Sequence, residues 1–196
     1  MNVMGVAPGE HMQLACGKKG SSQVRVDVLE CCHTVPCVGY LLSSITRKLL
    51  PHLEGLPKED IGQRKRQGEE VTCEVVTPVL AFLGDTTTSV FDEERNPLLQ
   101  TAPVVMVECT GFGNGTEEKM LSRGHSHWTT LRPVIASRPG TTFVLIHLSR
   151  SVKEADAVDV LLHSGLRNVV LWLDSGVVEI ASILAGTDAD NRAAVP

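Results

Sequence analysis

Aromatic residues and long apolar runs are both scarce in this sequence. Aromatics make up 4% of the 196 residues, so Val and Leu must fill most of any core. No apolar run approaches the roughly 18 residues needed to cross a membrane. The first twenty residues lack the apolar segment of a secretory signal peptide and include acidic Glu10. These absences predict an intracellular protein with no membrane span, and they do not choose among cytoplasm, nucleus and mitochondrion.

Cysteine pairs of the C-x-x-C type are also missing, although the chain contains six Cys residues. Without a secretory signal, we expect reduced and mostly buried thiols rather than a disulfide framework. The cluster formed by Cys31, Cys32, His33 and Cys37 matches no common zinc module. The six residues are Cys16, Cys31, Cys32, Cys37, Cys73 and Cys109.

An excess of positive charge is absent as well, because the net charge is −5. Binding to nucleic acid by bulk charge alone is therefore excluded, and any RNA contact would need a local basic patch. Residues 64–66 (RKR), with Arg47, Lys48 and Lys58, form the candidate patch. A phosphate-contacting arm and a solvated helix face both remain possible, since acidic residues are interleaved with the basic ones.

The hydrophobic pattern changes along the chain. Residues 24–31 alternate apolar and polar side chains, which predicts a strand, and the first half contains several such segments. The second half alternates buried-type strands, such as 142–146, with segments of helical spacing, such as 152–163. The sequence therefore predicts a mixed α/β domain over 23–184. We expect 1–22 to be a flexible leader or linker and 185–196 a frayed tail.

Several potential metal ligands lie just after predicted strands. His33 follows 24–31, Asp85 follows 79–83, Glu108 follows 104–107 and His147 follows 142–146. A fifth, His125, lies in a Gly-His-Ser-His turn before a predicted helix. Imidazole nitrogens and carboxylate oxygens are natural zinc ligands, and strand ends hold them rigidly at an open cleft. The pattern is typical of a metal site that the fold assembles.

Each of these residues also has a simpler interpretation. A single His after a strand is usually a surface or hydrogen-bonded residue. Asp85 in a Gly-Asp-Thr turn can bond nearby backbone NH groups, and Ser126 can cap the helix that follows His125. Glu108 is the least easily explained, because a carboxylate after a buried strand needs a partner. From these residues alone, a metal site stays an open alternative.

Five short motifs occur in an order that resembles ribonuclease Z, the metallo-β-lactamase-fold endonuclease that trims the 3′ end of precursor tRNA. CHTVPCVGY at 32–40 resembles the family segment in which His, Pro and Gly-Tyr follow at this spacing. The other four resemble its Gly-Asp-Thr, His-Glu-Ala-Thr, Gly-His-Ser-Thr and His-Phe-Ser-x-Arg-Tyr motifs. These four are FLGDT at 82–86, VECT at 107–110, GHS at 124–126 and LIHLSR at 145–150.

The resemblance implies a metallo-β-lactamase-like αββα sandwich and a site with two zinc ions. It implies that His33, Asp85 and His147 are metal ligands, with Asp85 bridging both ions. It also implies that His125 donates a proton to the leaving 3′ oxygen while Glu108 orients it, and that the zinc-activated water attacks phosphorus.

The sequence also departs from the family pattern. It contains no His-x-His-x-Asp-His motif, which supplies much of the family's zinc site, and Val107 stands where the family has the His of His-Glu-Ala-Thr. Three ligands cannot hold two zinc ions, because each ion needs about four. We therefore expect the C-terminal half of the sandwich, as part of a longer enzyme, as a half completed by a second polypeptide, or as a degenerate relative that lost catalysis. The bare face of a half-sandwich predicts a homodimer or a partner polypeptide supplying the missing half. The alternatives are a non-catalytic protein of this fold and another hydrolase of a small ester or phosphodiester.

Overall fold

One sheet contains every named strand of the computed structural model, which describes residues 5–16, 22–113 and 116–185. The strands lie in chain order, and β1 to β4 form an antiparallel meander. Strands β4 to β7 are parallel, and β8 returns antiparallel to β7. The mixed α/β class predicted from the sequence is confirmed. The strands are β1 His11–Cys16, β2 Ser22–Cys31, β3 Cys37–Leu49, β4 Thr72–Phe82, β5 Val104–Glu108, β6 Thr142–Ile146, β7 Val169–Leu173 and β8 Gly176–Glu179.

Within the described residues, four α-helices lie in the connections between strands. Helix α1 (Lys58–Arg66) joins β3 to β4 and buries no residue. Helices α2 (Glu117–Ser122) and α3 (Trp128–Ala136) join β5 to β6, and α4 (Glu154–Leu162) joins β6 to β7. A last helical segment occupies 180–185. No helix within the described ranges has both the length and the apolar character needed to cross a membrane.

The core forms on one face of the sheet, under α3 and α4. Alternate residues of β5, β6 and β7 point to this face, because side chains alternate along a strand. Each fully buried Leu or Phe contributes roughly 1.5–3 kcal/mol, so these strands hold the sheet rigid where the site forms. The fully buried contributors include Val105, Val107, Phe143, Leu145 and Leu171 from the strands, and Leu131, Ile135, Ala157 and Leu161 from the two helices.

The opposite face of the sheet carries apolar side chains that no helix of the described residues covers. Tyr40 pairs with Phe82 and Leu42 pairs with Leu80 across β3 and β4, so all four share this face. Phe82 is 40% exposed, and Trp172 on β7 is 54% exposed. An apolar face of this kind is unusual for an isolated domain.

The structure corrects the expected leader in one place. Residues 1–22 were predicted to be loose, but His11–Cys16 forms β1 and pairs with β2 from His11↔Asp27 to Cys16↔Ser22. The strand is mostly exposed and its alternation is limited to Met12 and Leu14, so pairing with the neighbouring strand decides its conformation. The rest of the leader at 1–4 and 17–21, and the tail beyond Ala185, lie outside the described residues.

Two further differences concern strands. Residues 71–76 and 79–83 were predicted as separate strands around Thr77-Pro78, but β4 runs unbroken over Thr72–Phe82. The register shifts between Leu42 and Ser43, opposite Pro78. Such an irregularity accommodates a residue without an N–H. Strand β8 was not predicted, because its four residues are too few to show a period.

Candidate metal centre

The site forms at one edge of the sheet, where four strands end. Strands β2, β4, β5 and β6 run in the same direction, so their carboxyl ends meet there. His33 follows β2, Asp85 follows β4, Glu108 ends β5 and His147 follows β6. The sheet therefore brings together residues that are far apart in sequence.

Glu108 is the buried centre of this cluster. Its side chain is 1% exposed. Its Oε1 accepts the backbone N–H of Thr86 at 2.8 Å and contacts Nδ1 of His125 at 2.9 Å. Its Oε2 accepts the hydroxyl of Thr110 in a short hydrogen bond. These partners explain how a carboxylate is tolerated at a buried strand end.

The hydroxyl of Thr110 determines which nitrogen of His147 is protonated. Thr110 has one hydroxyl hydrogen, which it donates to Glu108, so its oxygen accepts from Nδ1 of His147 at 2.8 Å. In the neutral imidazole this hydrogen bond leaves Nε2 of His147 as the nitrogen available to a ligand. His147 has a φ of 61°, a left-handed backbone that is uncommon for a residue other than glycine. Its Nδ1 lies 3.7 Å from Oδ1 of Asp85.

In His33 and His125 too, Nδ1 takes part in a hydrogen bond and Nε2 is left available. The Nδ1 of His33 donates to the carbonyl oxygen of Gly124 at 3.0 Å, and the Nδ1 of His125 donates to Glu108. The His33 and His125 rings lie 4.9 Å apart, and the His125 and His147 rings 5.4 Å apart. In all three imidazoles Nδ1 is occupied and Nε2 is left available. Metal-ligating His residues typically donate their other ring N–H to a carboxylate or carbonyl in this way.

Two overlapping groups of side chains have ligand atoms close enough to hold a metal ion. His33, Asp85 and His125 form the first group, and Glu108, His125 and His147 form the second. Within each group the ligand atoms lie within 4.8 Å of one another. The His and carboxylate donors suit zinc. The tightly hydrogen-bonded Glu108 fits an orienting role better than a ligand role.

All five candidate residues from the sequence therefore lie at one edge of the sheet. The sequence did not indicate the part that Thr86 and Thr110 play in holding Glu108. It also missed Ser126, which is fully buried and donates to the Thr86 carbonyl at 2.7 Å. The one signal in the sequence was Glu108 itself, because a carboxylate after a buried strand needs hydrogen-bond donors nearby.

His127 has a structural role next to the site. It is 1% exposed, and its Nδ1 accepts the Thr129 N–H at the first turn of α3. Its Nε2 contacts Thr116 Oγ1 at 3.1 Å. The helix cap was expected from Ser126, but the structure assigns it to His127.

Two buried cysteines near the site have thiol pKa values above the ordinary value. Burial raises the pKa of the Cys31 thiol to about 12. Burial also raises the pKa of Cys109, with the charge of neighbouring Glu108 adding to the effect. Both groups are thiols rather than thiolates at neutral pH, so neither is a ready metal ligand.

The candidate basic patch is partly neutralised. Arg47 forms an ion pair with Glu70 at 2.5 Å, and Arg64 pairs with Glu69 at 3.1 Å. These pairs are exposed, so they contribute little to stability. They leave the patch less positive than its sequence suggests.

The chain is similar to two curated proteins of Arabidopsis thaliana. It is 29% identical to tRNase Z TRZ1 over 164 residues, which are 82% of this chain and 56% of that protein. It is 29% identical to tRNase Z TRZ2, chloroplastic, over 118 residues, which are 60% of this chain and 33% of that protein. The chain thus spans about half the length of the first relative and a third of the second. No family model matches the chain.

Two solved structures align with the chain at low similarity. Human tRNase Z, short form (ELAC1), aligns with a TM-score of 0.41 and 16% identity, covering 86% of this chain and 47% of that one. The metallo-β-lactamase fold protein YhfI from Bacillus subtilis aligns with a TM-score of 0.47 and 14% identity, covering 85% and 52%. Both TM-scores are low, so neither likeness supports a conclusion about this chain.

Proposed function

We propose that this chain is part of a zinc-dependent phosphodiester hydrolase of ribonuclease Z type that processes the 3′ end of precursor tRNA. One observation carries the proposal. His33, His125 and His147 each use Nδ1 in a hydrogen bond and leave Nε2 available at the edge of the sheet where Asp85 lies. The five motifs and the similarity to the two Arabidopsis tRNase Z proteins support the substrate.

In this proposal His33, Asp85 and His147 are the zinc ligands. Two imidazoles and a carboxylate are common zinc ligands, and the structure places His33 and Asp85 in one group of ligand atoms and His147 in the other. When bound, zinc supplies Lewis-acid chemistry that polarises a phosphate oxygen and acidifies water. Asp85 is 42% exposed and His147 is 50% exposed, so both are open to solvent and substrate.

His125 is the proton donor and Glu108 its orienting partner. Glu108 holds the imidazole through Nδ1, which directs Nε2 toward the position of the leaving 3′ oxygen. Because Glu108 is buried and held by Thr86 and Thr110, it cannot rotate away from His125.

The complete two-zinc site needs further ligands, which a second polypeptide would supply. The described cluster has too few donors for two ions with about four ligands each. The uncovered apolar face beside the site, which includes Phe82 and Trp172, is where such a segment would pack. In this proposal the chain is the C-terminal half of a metallo-β-lactamase-like sandwich. A second copy or a different polypeptide covers the face.

The test is cleavage of a precursor tRNA that carries a 3′ trailer, in the presence of zinc. The chain is assayed alone and mixed with a polypeptide carrying the family's His-x-His-x-Asp-His motif. We expect no cleavage by the chain alone and cleavage at the trailer junction by the mixture. His125→Ala should abolish cleavage while zinc binding is retained. A mixture that binds zinc and associates but leaves the tRNA intact would reject the proposed activity.

The second candidate is a non-catalytic protein that acts through protein contacts. The altered motifs favour it, since Val107 replaces a family His, and so does the open apolar face. Association with a partner but no cleavage in the same assay would support this alternative. A hydrolase of small esters is less favoured, because the 32–40 segment and the Gly-His-Ser turn resemble ribonuclease Z specifically.

A further inference from the structure

Cys31 and Cys37 lie directly opposite each other at the end of the β2–β3 hairpin. They are the last paired residues before the connecting loop 32–36. Directly paired residues of antiparallel strands have Cα atoms about 4.5–5.5 Å apart and side chains on the same face. A disulfide needs Cα atoms about 4.4–6.8 Å apart, so the backbone already has a suitable separation.

Both side chains pack at the same place in the core: Cys31 belongs to the buried cluster and Cys37 packs against it. Two glycines make room for the sulfurs. A Cβ on Gly39 would lie 3.2 Å from Sγ of Cys31, and a Cβ on Gly84 would lie 2.7 Å from Sγ of Cys37. Glycine at these two positions therefore leaves space for both sulfur atoms.

Other cysteines in the described ranges are placed differently. Cys32 lies in the connecting loop and has no partner in the strand register. Cys16 pairs with Ser22 on β2, and Cys73 pairs with Lys48 on β3. Cys109 is fully buried beneath the candidate metal centre.

We propose that Cys31 and Cys37 are a site of reversible oxidation to an intramolecular disulfide, with a small-molecule disulfide such as glutathione disulfide as the oxidant. Cys37 is the more exposed of the two, so its thiolate attacks one sulfur of the oxidant and releases the first glutathione. Cys31 then loses its proton to solvent and attacks Sγ of Cys37, which releases the second glutathione. Two protein thiols are oxidised and one oxidant disulfide is reduced to two thiols.

This modification lies between two segments that carry candidate metal ligands. The new bond closes the loop that contains His33, and Sγ of Cys37 packs against Gly84, the residue before Asp85. The backbone N–H of Cys32 also donates to Thr86 Oγ1 at 2.9 Å, so the loop is tied to the segment after Asp85. The disulfide itself depends only on the hairpin and does not require the proposed hydrolase function.

The test is incubation of the purified chain with glutathione disulfide, followed by thiol counting and intact mass measurement. We expect two of the six thiols to become unreactive, with a mass loss of two hydrogens that dithiothreitol reverses. A proteolytic peptide containing residues 31–37 should carry the loss. Mixed disulfides at exposed Cys16 add the mass of glutathione and are distinguished in this way.

Two variants identify the pair. Cys37→Ala should prevent the loss, and the matched control Cys32→Ala, which removes the neighbouring loop thiol, should retain it. Circular dichroism checks the fold of each variant, and Cys37→Ser replaces Cys37→Ala if the latter does not fold. The proposal is overturned by a wild-type chain that keeps all six thiols, or by a loss that persists without Cys37 or disappears without Cys32.

Discussion

The Nδ1 atom of His125 lies 2.9 Å from Oε1 of Glu108, a carboxylate whose side chain is only 1% exposed. This contact joins the Gly-His-Ser turn to the end of β5. Because Glu108 also accepts from Thr86 and Thr110, the orientation of His125 is fixed by residues from two other segments. The arrangement leaves Nε2 of His125 available to act on a ligand or substrate.

Replacing Glu108 with Gln should destabilise the fold. The amide NH₂ of Gln cannot accept from Thr110 or His125, so at least one buried donor loses its partner. The expected loss is about 1–3 kcal/mol in the free energy of unfolding, measured by urea denaturation. Glu118→Gln, at an exposed position of α2, is the matched control and should change stability little. Equal effects of the two substitutions would contradict the network described for Glu108.

His147→Ala should lower zinc affinity by about tenfold or more, because it removes one ligand of the proposed site. Competition against a fluorescent zinc chelator measures this change in the metal-free chain. His163→Ala is the control, since His163 is exposed at the end of α4 and contacts Asp159 instead. Unchanged affinity in His147→Ala would remove His147 from the ligand set.

Gly124→Ala should disturb His33 directly. Gly124 has a φ of +77°, and a Cβ there would lie 2.7 Å from both Nδ1 of His33 and the backbone nitrogen of Thr34. The left-handed backbone alone costs Ala about 1–2 kcal/mol, and the collision adds to that cost. We expect lower stability in thermal unfolding and weaker zinc binding.

Gly165→Ala separates the cost of the left-handed backbone from the collision with His33. Gly165 has a φ of +75°, yet a Cβ there would meet no atom within 4 Å. It therefore carries the backbone cost without the collision. If Gly165→Ala lowers zinc affinity as much as Gly124→Ala, contact with His33 is not the cause.

The pH dependence of stability should include a contribution from Cys31. Burial raises its pKa to about 12 in the folded chain, above the ordinary value of 9.0. The stabilisation from the buried thiol is therefore fully present below pH 9 and is lost as pH rises toward 12. The stability advantage of wild type over Cys31→Ala should shrink across this window, in urea denaturation at successive pH values. Cys16→Ala, at an exposed position, should show no such trend.

The parts of the fold that could be predicted are those with a local signal. Strand β6 was predicted at its observed bounds, Thr142–Ile146, because Thr142 is followed by four consecutive apolar residues. Helix α4 was predicted from the spacing of residues such as Val158 and Leu161. Strand β1 could not be predicted, because its conformation depends on pairing with β2 rather than on its own residues.

Some parts of the candidate site could likewise be predicted from the sequence and others could not. His33, Asp85, Glu108 and His147 were identified because each follows a strand, and that position is visible in the sequence. The tautomers were not predictable, since they depend on partners distant in sequence, such as Gly124 for His33 and Thr110 for His147. The left-handed backbone of His147 also has no sequence signal.

Zinc content of the purified chain, measured by elemental analysis with native mass in the same sample, tests the central claim most directly. The ligand atoms of the two overlapping groups are enough for one ion with an open position, so we predict about one zinc per chain. A triple variant with Ala at His33, Asp85 and His147 should bind almost none. A dimeric mass with wild-type zinc would support a second copy as the covering partner. Wild-type zinc no higher than that of the triple variant would contradict the proposed metal centre.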